Sequence, residues 1–247
     1  MELPLSLFGI AIATVTLPYL SRLYSKNLVE QFSDAIYWSI KIALIFIIPA
    51  SVGIFILAEP IIAVIYFGGA FDHIDVRLTS LSLSVFSIGL IGFSFVKILS
   101  PAYFAREDTK TPVKIGIICV AINLILGSSF VFYLQKINFE ATHVGLASSI
   151  SIAALMNAGL LFWGLKRNKI LKNIKIPRIF LIKLCIANIV MFAFLIYTKK
   201  SLIWWLAMHA LERAMWLAMI ILVSMLLYFV TLSILRIKIK ELKFESG

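Results

Sequence analysis

Seven separate stretches of this chain are apolar for about as long as a lipid bilayer is thick. A hydrocarbon core of about 30 Å takes roughly 20 apolar residues in α-helix. Residues 3–20, 36–58, 78–104, 113–134, 144–165, 179–197 and 210–235 each come near that length. Inside lipid every backbone N–H and C=O must find a partner within its own helix or in a closed barrel. The alternating pattern of a membrane barrel is absent. The spacing therefore predicts an all-α fold, a polytopic transmembrane helical bundle of about seven helices. The stretch 60–67 is too short to cross, runs into Gly68-Gly69, and reads as a short helix lying in the interface.

Composition leads to the same place. Hydrophobic residues make up 62% of the chain and charged residues 14%, against about 45–50% and about a quarter in soluble domains. Too little polar surface remains to face water. The net charge of +11 is spread between apolar runs rather than along one basic face, which argues for membrane topology and against nucleic acid. One alternate set of connections holds sixteen of the lysines and arginines: Arg22 and Lys26, then Arg106, Lys110 and Lys114, then seven from Lys166 to Lys183, then four from Arg236 to Lys243. The other set holds five, Arg77, Lys136, Lys199, Lys200 and Arg213, while Lys41 and Lys97 fall within spans. Positive charge accumulates on the cytoplasmic side, so the first helix is expected to enter from outside and the C-terminus to end in the cytoplasm. Seven helices with an outside start imply a preceding segment. The opening Met1-Glu2-Leu3-Pro4 lacks the basic n-region of a cleavable signal peptide.

Helices in lipid associate through small residues and inter-helix hydrogen bonds, since apolar burial gives them little drive. Glu2, Ser6, Gly9, Ala13 and Thr16 fall on one stripe of the first span, and Ser80, Ser84, Ser87 and Ser94 repeat the spacing in the third. Gly116, Cys119, Asn123 and Gly127 mark the fourth, and Ala147, Ser151, Ala154 and Ala158 the fifth. These stripes suit tight packing, and some suit the wall of a water-filled cavity. The last two spans are large and apolar almost throughout, which places them at the periphery of the bundle.

A charge at bilayer depth is a functional candidate, because it costs several kcal/mol unless it snorkels, pairs or faces water. Lys41 is near enough to its interface to snorkel; Lys97 lies deeper, about 10 Å from its end, and is a candidate for a cavity or gate. Arg106 and Asp108 belong to a dense mixed-charge turn, Arg106-Glu107-Asp108-Thr109-Lys110-Thr111-Pro112. They are further gate candidates, with Asp108 also placed to cap the following helix. Cys119 and Cys185 lie far apart in apolar runs and predict no disulfide. His73, His143 and His209 have no metal-ligand spacing, and no phosphate loop, nucleophile elbow or zinc-protease motif occurs. No enzyme activity, cofactor or metal is expected.

Several segments together resemble the MurJ (MviN-type) lipid II flippases of the multidrug/oligosaccharidyl-lipid/polysaccharide exporter superfamily. They are Met1-Glu2-Leu3-Pro4 running into residues 9–14 and Leu17-Pro18, then Phe67-Gly68-Gly69-Ala70-Phe71, then the block 96–114, and finally 157–165. The block 96–114 is the most specific. The resemblance implies one half of a fourteen-helix, two-lobed transporter that moves lipid-linked peptidoglycan precursor across the inner membrane by alternating access. Residues 1–165 would form helices of the C-terminal lobe, 166–178 a basic cytoplasmic linker, and 179–247 two peripheral lipid-facing helices and a tail. It further implies that Glu2, with Ser6 on its stripe, lines the substrate cavity, and that the last two helices form a groove for lipid tails. The family's cavity arginines lie on its first two helices and just upstream of Met-Glu-Leu-Pro, outside this sequence. Transport is therefore expected only with an N-terminal half as partner. Two other readings stay open: an exporter of another lipid-linked oligosaccharide, and a non-transporting membrane remnant or scaffold.

Overall fold

The computed structural model describes residues 11–171 and 176–236. Along them run nine helices: α1 (Ala11–Ser25), α2 (Val29–Ile56), α3 (Ala58–Tyr66), α4 (His73–Phe104), α5 (Lys110–Lys136), α6 (Val144–Arg167), α7 (Arg178–Thr198), α8 (Leu202–Leu206) and α9 (Ala210–Ile234). Six of these, α2, α4, α5, α6, α7 and α9, are long and apolar enough to cross a membrane. The first expected span continues into α1, and its opening residues lie outside the described ones. The stretch expected at the interface is α3, nine residues long.

The sequence starts and stops these helices by local chemistry. Gly68 and Gly69 take positive φ, 146° and 58°, in a turn that glycine enters without steric cost. Directly after it, Asp72 accepts the N–H groups of Ile74 and Asp75 at 2.8 and 3.0 Å, and Asp75 accepts that of Asp72 at 3.1 Å. This capping box fixes the start of α4. Asp108 accepts the Thr111 N–H at 3.0 Å, and Pro112 sits in the first turn of α5, where its missing N–H costs nothing.

Small residues set the packing of the central helices, as the stripes suggested. α4 and α6 lie side by side and run the same way. A Cβ on Gly89 would fall 2.6 Å from Ser151 Oγ, and one on Gly92 would fall 2.5 Å from the backbone of Ala154 and Leu155. Further along the pair, Tyr103 is fully buried and donates to the Leu161 carbonyl at 2.7 Å. α5 runs back along α6, with Gly127 against Ser149 and Gly145 against Phe130. α2 joins α4 through Ser51, which donates to the Ser87 carbonyl at 2.6 Å. Ser80, Ser87 and Ser94 are buried, so these three positions of the third-span stripe serve packing.

α7 and α9 pack on each other and against α2 and α3, around Ile45, Leu184, Met191 and Tyr228. Their remaining faces expose Ile182, Ile189, Leu222 and Leu226. A proline explains one of the contacts. Pro49 has no N–H for the Ile45 carbonyl four residues back, and the Tyr228 hydroxyl donates to that carbonyl at 2.6 Å.

Candidate functional site

Between α2 and α9, beside Pro49, lies an apolar groove of about 220 Å³ lined by Phe46, Pro49, Met191, Met225 and Phe229. Gly53 borders it and has open space where a side chain would point. The Tyr228–Ile45 bond holds the closed side. Among the described residues no charged side chain lines the groove. Such a surface accepts hydrocarbon and rejects headgroups, because an unpaired polar group there loses its hydration without compensation.

A second depression, of about 390 Å³, opens between α1 and α4 and is lined by Thr14, Leu17, Lys97, Ser100, Pro101 and Phe104. Lys97 lies on its wall, half-buried. Lys97 is the charged member of that lining among the described residues, beside the hydroxyl-bearing Thr14 and Ser100.

Arg106 and Asp108 share one turn yet do not pair. Burial raises the Asp108 carboxyl. The Thr111 hydrogen bonds and the nearby charges of Arg106 and Lys114 outweigh it, and the group titrates below the ordinary aspartate range. Asp108 thus stays ionised at neutral pH and is engaged as the α5 cap. Arg106, half-buried, lines a cavity of about 190 Å³ together with Tyr24, Asn27, Phe32 and Lys169. Lys97 and Arg106 therefore line two different depressions. Glu2 and Ser6 lie outside the described residues. Among the described residues no group of three His, Cys, Asp or Glu side chains comes together to hold a metal.

The helical bundle belongs to a known architecture. A profile described as "Lipid II flippase MurJ" matches residues 1–216. The chain belongs to the lipid II flippase MurJ family. It is 35% identical over 243 residues to the probable lipid II flippase MurJ of Vibrio cholerae, covering 98% of this chain and 45% of that protein. The corresponding Haemophilus influenzae protein is 36% identical over 244 residues, with 96% and 46% covered. A solved structure, lipid II flippase MurJ in an inward closed conformation, superposes with a TM-score of 0.74 at 25% identity, covering 98% of this chain and 45% of the other. The chain thus spans about half the length of its MurJ relatives, and it is a multi-pass membrane protein of helical class.

Two structural residues of this MurJ-type bundle escaped the sequence reading. Tyr228 had a partial signal, since Pro49 announces a freed carbonyl without saying which donor reaches it. Arg213 was read only as one external charge. It is buried and donates to the carbonyls of Ala63, Trp205 and Met208 at 2.7, 3.0 and 3.1 Å.

Proposed function

We propose that this chain is the C-terminal half of a lipid II flippase, which moves the lipid-linked peptidoglycan precursor across the bacterial inner membrane by alternating access together with an N-terminal half. The observation that carries this reading is coverage: nearly all of this chain aligns with 45% of the Vibrio cholerae protein and with 45% of the solved flippase. The apolar groove between α2 and α9 would take a lipid tail. A pyrophosphate-bearing headgroup needs Arg or Lys partners at low dielectric, and the depression beside α1 supplies Lys97 alone. The other half would bring the remaining cations, and Glu2 would pair with one of them while substrate is absent.

Complementation tests this. In cells depleted of their own flippase, residues 1–247 alone are expected to give no growth, and co-expression with a seven-helix N-terminal half to restore it. Rescue by the chain alone would refute the dependence, and failure of the pair would favour a non-transporting remnant. In the rescued pair, Glu2→Ala is expected to lower growth at matched protein level, and Glu2→Asp to lower it less. Equal growth of Glu2→Ala and wild type would remove Glu2 from the cavity.

The same reading orients the chain with its C-terminus in the cytoplasm, motivated by the sixteen-to-five division of positive charge. Asp72 and Asn168 are both exposed and lie at opposite ends of the spans. With Cys119 and Cys185 removed, a single cysteine at Asp72 is expected to react with an impermeant thiol reagent in intact cells. One at Asn168 is expected to react only after permeabilisation, and the reverse pattern would overturn the orientation.

A further inference from the structure

We infer that the cavity beneath Arg106, at the basic end of the bundle, is a binding site for a phosphate-bearing anion. Three helix-ending turns meet there, those of α1, α4 and α6, and the cavity of about 190 Å³ between them is lined by Asn27, Arg106, Asn168 and Lys169 together with Tyr24 and Phe32. That is more than ten times the ~15 Å³ that one water needs, enough for a tetrahedral anion and the first atoms of its ester.

The guanidinium carries the argument. Arg106 Nη1 is shut off from solvent and meets no acceptor among the described residues, although a buried charged donor left unpaired costs more than the ~1–3 kcal/mol of a neutral one. Glu107, the carboxylate next in sequence, is exposed, and Asp108 has Oδ1 turned to the Thr111 N–H; among the described residues neither forms an ion pair with Arg106. Helix ends usually offer free carbonyls to a cation, but here each turn closes on itself. Leu28 N–H reaches Leu23 O at 3.0 Å, Asp108 N–H reaches Tyr103 O at 3.1 Å, and Ile170 N–H reaches Leu165 O at 3.1 Å. These are Schellman closures, so the carbonyls they engage are not aimed at Arg106. Nη1 has no accessible surface in this arrangement, so an acceptor from outside the chain would answer it once the side chain turns toward the cavity that Arg106 lines.

The backbone supports the same reading. Asn27, Glu107 and Lys169 occupy the left-handed position of the three turns at φ 56°, 60° and 53°, where glycine would avoid roughly 1–2 kcal/mol per residue. Two of them, Asn27 and Lys169, bring an amide and an ammonium to the cavity. Arg106 adds a planar fork and Asn168 a second amide, a donor set that suits a tetrahedral oxyanion. The opposite wall is apolar, with the Tyr24 and Phe32 rings 6.3 Å apart. A basic pocket between membrane helices at this level takes lipid headgroup phosphates; a soluble phosphate ester carries the same group.

The test uses the purified full chain in a neutral detergent, with short-chain phosphatidylglycerol, short-chain phosphatidylcholine and inorganic phosphate as separate probes. Binding is read by native mass spectrometry and by protection against thermal unfolding. Phosphatidylglycerol or inorganic phosphate is expected to bind wild type. Arg106→Gln and Lys169→Asn are each expected to weaken that binding by about fivefold, from the contribution of one basic side chain near a membrane surface. Arg106→Lys should recover part of the loss, and Lys166→Gln, an exposed basic residue outside the cavity, should leave binding unchanged. Inorganic phosphate binding as tightly as phosphatidylglycerol makes the ligand soluble, whereas lipid binding without phosphate binding makes it a headgroup; either supports the site. Equal binding by wild type and Arg106→Gln, or an equal loss in Lys166→Gln, overturns it.

Discussion

Replacing Arg213 by alanine is expected to lower the melting temperature of the chain in detergent by on the order of 10 °C, the equivalent of about 3–5 kcal/mol. No carboxylate neutralises this buried side chain in the described structure. Instead Nη1, Nε and Nη2 donate to the carbonyls of Ala63, Trp205 and Met208, and the guanidinium lies over the Phe67 ring at 4.9 Å. Ala63 belongs to the last turn of α3, and Trp205 and Met208 to the end of α8 and the residues after it. The Trp205 and Met208 carbonyls are among the ones a helix cannot satisfy for itself, the Ala63 carbonyl also accepts the Phe67 N–H at 3.3 Å, and all three lie at the negative ends of two helix dipoles. One cation thus closes two short helices against the start of α9. Alanine would strand the Trp205 and Met208 carbonyls, each costing about 1–3 kcal/mol when buried, and leave Ala63 with the Phe67 N–H alone, with losses that overlap because the sites are neighbours.

Trp204, Trp205 and Trp216 pack edge to face beside Arg213, so their fluorescence reports the local change directly. Hydrogen exchange should show α3 and α8 losing protection while the α4–α6 pair keeps it. Arg213→Lys should fall between wild type and alanine, since one ammonium keeps the charge but not the fork. A melting temperature for Arg213→Ala within about 2 °C of wild type would show that the three bonds contribute no net stability.

Hydropathy made the spans legible because lipid selects composition over long windows, yet it misplaced the ends where helices leave the lipid. α2 begins at Val29 rather than near 36, and its first turns carry Glu30 and Asp34; α4 begins at His73 rather than near 78. The capping box of Asp72 and Asp75 sets the start of α4, whereas α2 starts after Leu28 without a side-chain cap. The serine and glycine stripes were legible as packing surfaces because small side chains at helical spacing have few other uses in lipid. Which stripe met which was not, since Ser151 finds the Val85 carbonyl 66 residues away.

The polar site was the least legible part. Arg106 read as a gate candidate in a mixed-charge turn, and only the convergence of three chain segments makes it half-buried. Arg213 and Tyr228 bond to backbone carbonyls, which every residue carries, so no side-chain motif marks their partners. The α2–α9 groove lies beside a proline whose effect depends on a helix more than 170 residues later, since Tyr228 and Ile45 are 183 positions apart.

Packing at Gly92 gives the sharpest test of the fold, because substitution of glycine by alanine in a helix ordinarily stabilises it by about 1 kcal/mol. At Gly116 a Cβ would meet nothing within 4 Å, and Gly116→Ala is expected to be neutral or to raise stability by that amount. At Gly92 the same methyl would land 2.5 Å from the Ala154 carbonyl carbon and the Leu155 nitrogen. Those atoms belong to the backbone of α6 and have no rotamer to change, so α4 and α6 must move apart. That separation also loosens the Gly89–Ser151 contact and the Ser151–Val85 hydrogen bond nearby. Overpacking of a tight core costs about 1–3 kcal/mol, occasionally more, and a clash with backbone belongs at the upper end. Gly92→Ala is therefore expected to melt several degrees below wild type and Gly116→Ala at or above it, with both chains inserted in the membrane to the same extent. Gly89→Ala should fall between them, since its nearest contact is the movable Ser151 hydroxyl, although the Ser151 Cα at 2.9 Å limits the relief. If Gly92→Ala and Gly116→Ala melted together, the close α4–α6 approach would be wrong, and with it the parallel pairing on which the placement of Lys97 and Arg106 depends.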